Sequence, residues 1–267
     1  MEKYRAKPGG NIKLKDFDPD ETSQFSGDKQ AGINKLAELT QKLDSLQEVL
    51  YAEHRHKILV VLQARDAGGK DGTIRSVLSG VNPQGVHIAS FKVPTELEQD
   101  HDFLWRIHQQ TPGKGELVIF NRSHYEDVLV VRVHNLTSRE TWNQRYKMIN
   151  NFEKTLVDEG TTILKFYLNV SKDEQKKRLQ ERIDNPSKNW KFNPGDLKER
   201  ALWDEYTSAY EDVFNETSTD WAPWYVIPAN HNWYRNLCVA SILVRTLENL
   251  KMNFPTPTAD FSKLVIE

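Results

Sequence analysis

Lys57-Ile-Leu-Val-Val-Leu-Gln-Ala-Arg-Asp-Ala-Gly-Gly-Lys-Asp-Gly-Thr-Ile-Arg-Ser76 is the stretch on which the reading of this chain turns. Ile58 to Leu62 is an unbroken aliphatic run, the pattern of a parallel strand buried on both faces. It gives way to a small-residue turn holding Gly68, Gly69 and Lys70. Ile74, Val77, Leu78 and Val81 then fall at helical spacing. Strand, glycine loop, lysine and helix make a phosphate cradle: loop amides point inward, the helix N-terminus favours an anion, and the lysine adds positive charge. The match to G-x-x-x-x-G-K-S/T is incomplete. Ala64 stands where the first glycine belongs and Asp71 where the hydroxyl belongs, with Thr73 nearby. An ordinary glycine-rich turn with a solvated lysine is the competing reading. Asp66 favours the cradle, because a carboxylate beside bound phosphate calls for a metal between them.

Outward from that stretch, apolar runs alternate with amphipathic segments. Ile33, Leu36, Leu39, Leu43, Leu46 and Leu50 predict a long helix over 29–54, a stripe suited to core or subunit contact. Strands are predicted at 86–93, 116–121, 161–170 and 224–227, and helices at 96–110, 138–159, from Ser171 onward and at 233–250. Ser171-Lys-Asp-Glu174 has the form of a capping box. Such alternation predicts an α/β fold in three α/β/α layers around a parallel sheet. Ligands then bind at the carboxyl ends of the strands, where segments 63–73, 92–96 and 121–127 converge. The reading is one domain over 1–267, with a polar arm at 1–27 and a lid at about 178–200.

A net charge of −2 over 267 residues implies no general attraction to nucleic acid or membrane, so any polyanion must be held by local basic clusters. The single cysteine, Cys238, excludes an internal disulfide and reads as a buried small hydrophobe. No apolar leader or membrane-length segment is visible, and a cytoplasmic protein is expected.

The strand predicted at 116–121 ends in Phe120-Asn-Arg-Ser-His-Tyr-Glu-Asp127. Arg122 carries a permanent charge that fits phosphate oxygens bidentately. Glu126 and Asp127 suit a metal or an acceptor equally as well as the N-terminus of a helix. Arg178 and Arg182 lie four apart on one helical face, ahead of a turn-rich loop holding Lys188, Trp190, Lys191 and Phe192. Arg178, Arg182 and Lys191 suggest a cationic lid over phosphates, whereas Lys172, Lys176 and Lys198 read as solvated. The histidines have no metal-ligand spacing, and His124 is expected to make a structural hydrogen bond. Asn230 and Arg235 are candidates for the rear wall of the site.

Gln63-Ala-Arg-Asp-Ala-Gly-Gly-Lys-Asp-Gly-Thr73, Phe120-Asn-Arg-Ser-His-Tyr-Glu-Asp-Val128, Arg178-Leu-Gln-Glu-Arg182 and Lys188-Asn-Trp-Lys-Phe192 resemble the Walker A-like, Walker B-like and lid motifs of the polyphosphate kinase 2 family, in its class III form. The resemblance spans essentially the whole chain. It implies a P-loop kinase-like fold and a magnesium-dependent transfer of the terminal phosphoryl group of inorganic polyphosphate to AMP and ADP, with guanine nucleotides as further candidate acceptors. It also implies a homo-oligomer. Carried over, Asp66 and Lys70 take Walker A roles, flanked by Arg65, Ala67, Gly68, Gly69, Asp71, Gly72 and Thr73. Arg122 binds phosphate, Arg178 and Arg182 act from the lid with Lys191, and Lys92 matches a basic position. Asn121 stands where other members carry aspartate, which shifts the expected metal role to Asp66 and Asp127, with Glu126 beside them. Direct in-line transfer without a covalent phosphoenzyme is expected. An ATP-dependent kinase on the same fold and a non-catalytic polyphosphate sensor are the alternatives.

Overall fold

A computed structural model describes residues 1–258 and 266. In chain order its elements are α1 (Lys29–Glu53), β1 (Lys57–Ala64), α2 (Lys70–Val77), β2 (Val86–Ser90), α3 (Glu96–Gln99), α4 (Trp105–His108), β3 (Leu117–Asn121), α5 (Val130–Val133), α6 (Arg139–Asp158), β4 (Thr161–Asn169), α7 (Lys172–Asp184), α8 (Gly195–Ala201), α9 (Trp203–Thr217), β5 (Trp224–Pro228) and α10 (Asn232–Asn249). The five strands form one parallel sheet in the order β2-β3-β1-β4-β5. The expected α/β/α layering is present.

β1 is the central strand. Val60 pairs in register with Ile119 on β3 and Leu164 on β4. Its side chains alternate between two cores, which explains the continuous apolar run. Ile58, Val60, Leu62 and Ala64 pack with Leu43 and Leu50 of α1 and with the apolar face of α10. Leu59 and Val61 face the opposite core, with Tyr146 and Ile149 of α6 and Val213 and Phe214 of α9. Each buried aliphatic side chain contributes roughly 1.5–3 kcal/mol, so the sheet centre is a rigid base for the loops at its carboxyl edge. Cys238 is buried in α10, as its apolar setting implied.

The arm is tied down along its length. Tyr4 is buried with its hydroxyl 2.6 Å from that of Tyr234, Ala6 N–H donates to Trp224 O, and Leu14 N–H donates to Glu211 Oε1. Farther on, Asn169 Nδ2 donates to Phe17 O and Asn230 N–H to Pro19 O. The arm thereby reaches the carboxyl end of β4 and β5, beside the glycine loop.

Two expectations change. The helix predicted over 96–110 is two short ones, α3 and α4. The Asp102 carboxylate accepts the Leu104 N–H and its carbonyl accepts the Trp105 N–H, a local turn that restarts the helix. The strand predicted to Val93 stops at Ser90, with Val93 exposed beyond it. Beyond α10, residues 251–258 form no helix or strand.

Candidate active site

The loop after β1 is held by backbone geometry that its sequence makes possible. Gly69 has φ 102°, a region that side chains disfavour. A Cβ at Gly68 would lie 2.6 Å from that of Ala64. Lys70 opens α2 and turns back to donate to Ala64 O at 2.9 Å, so its ammonium lies across the loop. Burial, and then the neighbouring Arg122, lower the Lys70 pKa, against the pull of Asp66, Glu126 and Asp71.

Across from the loop, β3 ends and the chain turns sharply at Arg122, whose φ is 63°. A non-glycine residue held there stores strain. Its guanidinium reaches Asp66, with Nη2 3.3 Å from Oδ1. Burial opposes the charge on Arg122, but Glu126 and Asp66 outweigh it and raise the pKa. Asp66, Arg122 and Glu126 line one cavity of about 330 Å³, closed on the far side by Gln175 of α7, Asp196 and Glu199 of α8, and Tyr206 and Tyr210 of α9. Glu126 is steered by Gln63, whose amide is satisfied when its oxygen faces Ser123 and its nitrogen donates to Glu126 Oε1 at 3.1 Å. Burial raises the Glu126 pKa.

Asp127 points elsewhere. Its carboxylate is 3.0 Å from Arg145 Nη1, which also donates to the Asp127 carbonyl. Burial outweighs Arg145 and Arg106 and pushes its pKa up to about 6. The structure therefore does not bring Asp127 to Asp66.

The other sequence-predicted residues divide between the cavity and its scaffold. Arg65 lines the cavity but spends its guanidinium on Trp203 O, Thr207 Oγ1 and the Tyr167 hydroxyl, stacked 3.7 Å over the Trp203 ring. Thr73 is buried and donates to Gly69 O, one turn back along the loop. Asp71 and Gly72 are exposed in the first turn of α2, where Asp71 Oδ1 accepts from Asn121 Nδ2 at 2.8 Å. Ala67 takes a left-handed conformation, and its carbonyl receives Arg178. Lys92 is exposed, with its carbonyl tied to Arg106.

The lid arginines are committed to the frame. Arg178 donates to the carbonyls of Ala67, Gly68, Ala229 and Asn230, with Nε on Glu174, so it braces the loop from α7. Arg182 joins Lys191 O to Asp196, folding α7 onto α8. Lys191 stays exposed at the tip beside Trp190. The sequence reading missed Gln175, whose amide donates to Asp66 O, although it sits one helical turn before Arg178. It also missed Tyr206, Tyr210, Asp196 and Glu199, which only the tertiary fold brings to the cavity.

Behind the strand end lies a buried polar network. Lys165 of β4 contacts Glu153 Oε2 at 2.6 Å, the Tyr125 hydroxyl at 2.9 Å and Thr217 O at 2.8 Å. Tyr125 donates to Glu153 Oε1, and His124 Nε2 lies 3.1 Å from the same oxygen. His124 thus makes the structural hydrogen bond expected of it.

Among the described residues no three carboxylate, histidine or cysteine side chains gather to hold a metal. Asp66 and Glu126, on one cavity with Arg122, instead suit a hard cation that draws its remaining ligands from phosphate oxygens and water. A glycine loop with a lysine at the carboxyl end of a central parallel strand, faced by an arginine and two carboxylates, defines a phosphotransferase of the P-loop kinase-like class. Residues 26–255 match the Polyphosphate kinase 2 (PPK2) family, and the chain belongs to it. It is 64% identical to the AMP/ADP-polyphosphate phosphotransferase of Meiothermus ruber over 100% of both chains. It is 43% identical to the ADP-polyphosphate phosphotransferase of Rhodopseudomonas palustris, over 96% of this chain and 92% of the relative. The crystal structure of Polyphosphate Kinase 2 from Arthrobacter aurescens TC1 superposes with a TM-score of 0.94 at 45% identity, covering 97% of this chain and 92% of that one. No helix among the described residues is long and apolar enough to cross a membrane.

Proposed function

We propose that this protein transfers the terminal phosphoryl group of inorganic polyphosphate to AMP and ADP, giving ADP and ATP, as a class III member of its family. The observation that carries the reading is the convergence of Asp66, Lys70 and Arg122 on one loop at the carboxyl edge of the sheet. The AMP/ADP-polyphosphate name of the 64% identical relative supports both acceptors.

Phosphoryl transfer asks the protein mainly to place two oxygens in line across phosphorus and to neutralise charge. Loop amides and the α2 N-terminus bind the transferred group. Lys70 exchanges its contact with Ala64 O for a phosphate oxygen, a swap favoured because the ammonium is already desolvated. Arg122 grips an adjoining phosphate, and its strained backbone holds it there. Mg2+, held by Asp66 and Glu126, would offset the charge of the phosphates against these carboxylates. Asp127, expected from the sequence to share that role, instead supports Arg145. Lys92 and Lys191, both exposed, are the cations offered to the outer length of a long anionic chain. No side chain is needed as a covalent carrier. Acceptance of guanine nucleotides, a homo-oligomer using the half-exposed Ile33 face of α1, and a cytoplasmic setting complete the proposal.

Incubating the protein with AMP, polyphosphate and Mg2+ but no ATP tests the donor, with ADP, GMP and GDP as parallel acceptors. ADP followed by ATP is expected. If ADP forms only when ATP is supplied, the donor assignment fails.

A further inference from the structure

Behind the glycine loop lies a buried charge without a counter-charge. Arg235, in the first turn of α10, is 2% exposed. Its guanidinium binds only neutral acceptors: Asn236 Oδ1 through Nε and Nη2, Asn232 Oδ1 at 2.7 Å, and Gly68 O at 3.5 Å. No carboxylate pairs with it among the described residues. Its charged neighbour is Arg178, another guanidinium. Burial and that neighbour lower its pKa to about 9, which leaves it charged at neutral pH. Arg178 has Glu174 for balance, and Arg235 has nothing comparable.

The placement is specific to the loop. A Cβ at Gly69 would collide with Arg235 Nη1, and one at Gly72 would lie 3.4 Å from Nη2. These glycines thus leave room for a cation from beneath, while the upper side of the loop is left for phosphate. A buried charge costs stability unless it is paired. An anion above the loop is the missing partner.

We infer that Arg235 is the rear electrostatic element of the cradle, a positioning residue whose unbalanced charge is matched only when a polyphosphate or nucleotide phosphate occupies the loop. The inference rests on the phosphate-binding reading of the site proposed above. It means that the free enzyme holds a destabilising charge that phosphate relieves, so binding and stability are coupled through the loop. A structural brace between α10 and the loop would behave in the opposite way.

Two variants separate these cases. Arg235→Gln keeps hydrogen bonding and loses charge, whereas Arg235→Lys keeps charge and loses the fork. Thermal unfolding is measured for each full-length variant alone and over a titration of polyphosphate with Mg2+, alongside turnover. Free R235Q should be at least as stable as wild type, with the half-saturating polyphosphate concentration raised roughly 30-fold, the size expected for unit charges about 8 Å apart at an effective dielectric near 20. R235K should recover most of that loss. A free R235Q less stable than wild type, an unchanged polyphosphate response, or R235K as impaired as R235Q overturns the inference. A wild-type protein that neither binds nor uses polyphosphate overturns instead the reading on which it rests, and the inference with it.

Discussion

Replacing Lys165 by methionine tests how the strand-end segment is held. Lys165 and Glu153 both have fully buried side chains, 2.6 Å apart, and the ammonium also donates to Tyr125 and Thr217 O. Methionine fills similar volume, so the cavity term is small. What remains is a buried carboxylate that keeps Tyr125 and His124 as donors but loses its counter-ion. Removing one partner of a buried pair costs about 3–5 kcal/mol. The pH dependence gives the sharper signature. In the wild type Lys165 and His124 outweigh burial and hold the Glu153 pKa below its ordinary value, so its contribution is present above pH 4.5 and is lost as pH falls through the depressed value. Without Lys165, burial raises that pKa. The penalty is then absent in acid and grows as pH rises through the raised value. Urea unfolding at pH 5 and pH 7 should therefore show the gap between the two proteins widening with pH, because the wild-type Glu153 contribution is already constant across that window. Glu153→Gln added to K165M should recover at least half the loss, because Gln still accepts from Tyr125. A K165M cost below about 1 kcal/mol, or one independent of pH, would refute the reasoning.

Lys70→Met should lower turnover about 10²–10³-fold, as loss of a transition-state donor does, while changing the polyphosphate midpoint in thermal unfolding only slightly; a rate within a few-fold of wild type removes Lys70 from the chemistry. Glu126→Gln should raise the Mg2+ concentration for half-maximal rate by at least about tenfold, and Asp127→Asn should leave it unchanged. Because the folded Asp127 pKa lies near 6, its contribution to stability is full below about pH 4 and is lost as pH rises through about 6, a slope of up to about 3 kcal/mol that D127N lacks in urea titrations. Asn121→Asp should set a carboxylate against Asp71 and cost about 1 kcal/mol at neutral pH, with the loss vanishing in acid; an unchanged urea midpoint at pH 7 would show that the two side chains do not meet.

The fold was legible because its centre obeys one simple rule. A strand buried on both faces has no polar alternation, and Ile58 to Leu62 shows none. The long helices carry apolar stripes, and Ser138 and Ser171 cap α6 and α7 through the side-chain bonds their spacing suggests. The short α3 and α4 were not separable, because one turn of helix has no period to read. Lys165 was hidden for another reason: a lysine in a strand looks like a solvent-facing position, and its partner lies on another element. For Arg178 the helical face was right and the target was not. Sequence spacing fixes direction on a helix but not what waits there, and here it is a row of loop carbonyls rather than open channel.

One departure from the phosphate-loop pattern, Asp71, pairs in three dimensions with the residue that ends β3. Asp71 stands where the pattern has a hydroxyl, at the start of α2, and Asn121 ends β3. Asn121 Nδ2 donates to Asp71 Oδ1, so the amide fits because the carboxylate is there. A carboxylate at both positions would repel, and a hydroxyl at 71 would leave the amide a weaker acceptor. The bond pins the strand end to the helix start. On the function proposed above, the cation is held by carboxylates that face the cavity. Asp66 is reached from the loop side and Glu126 from the turn after β3, with Arg122 between them. Under that proposal the departure in one motif is matched by a cation position one turn of chain further along the other, with the strained Arg122 between the two carboxylates.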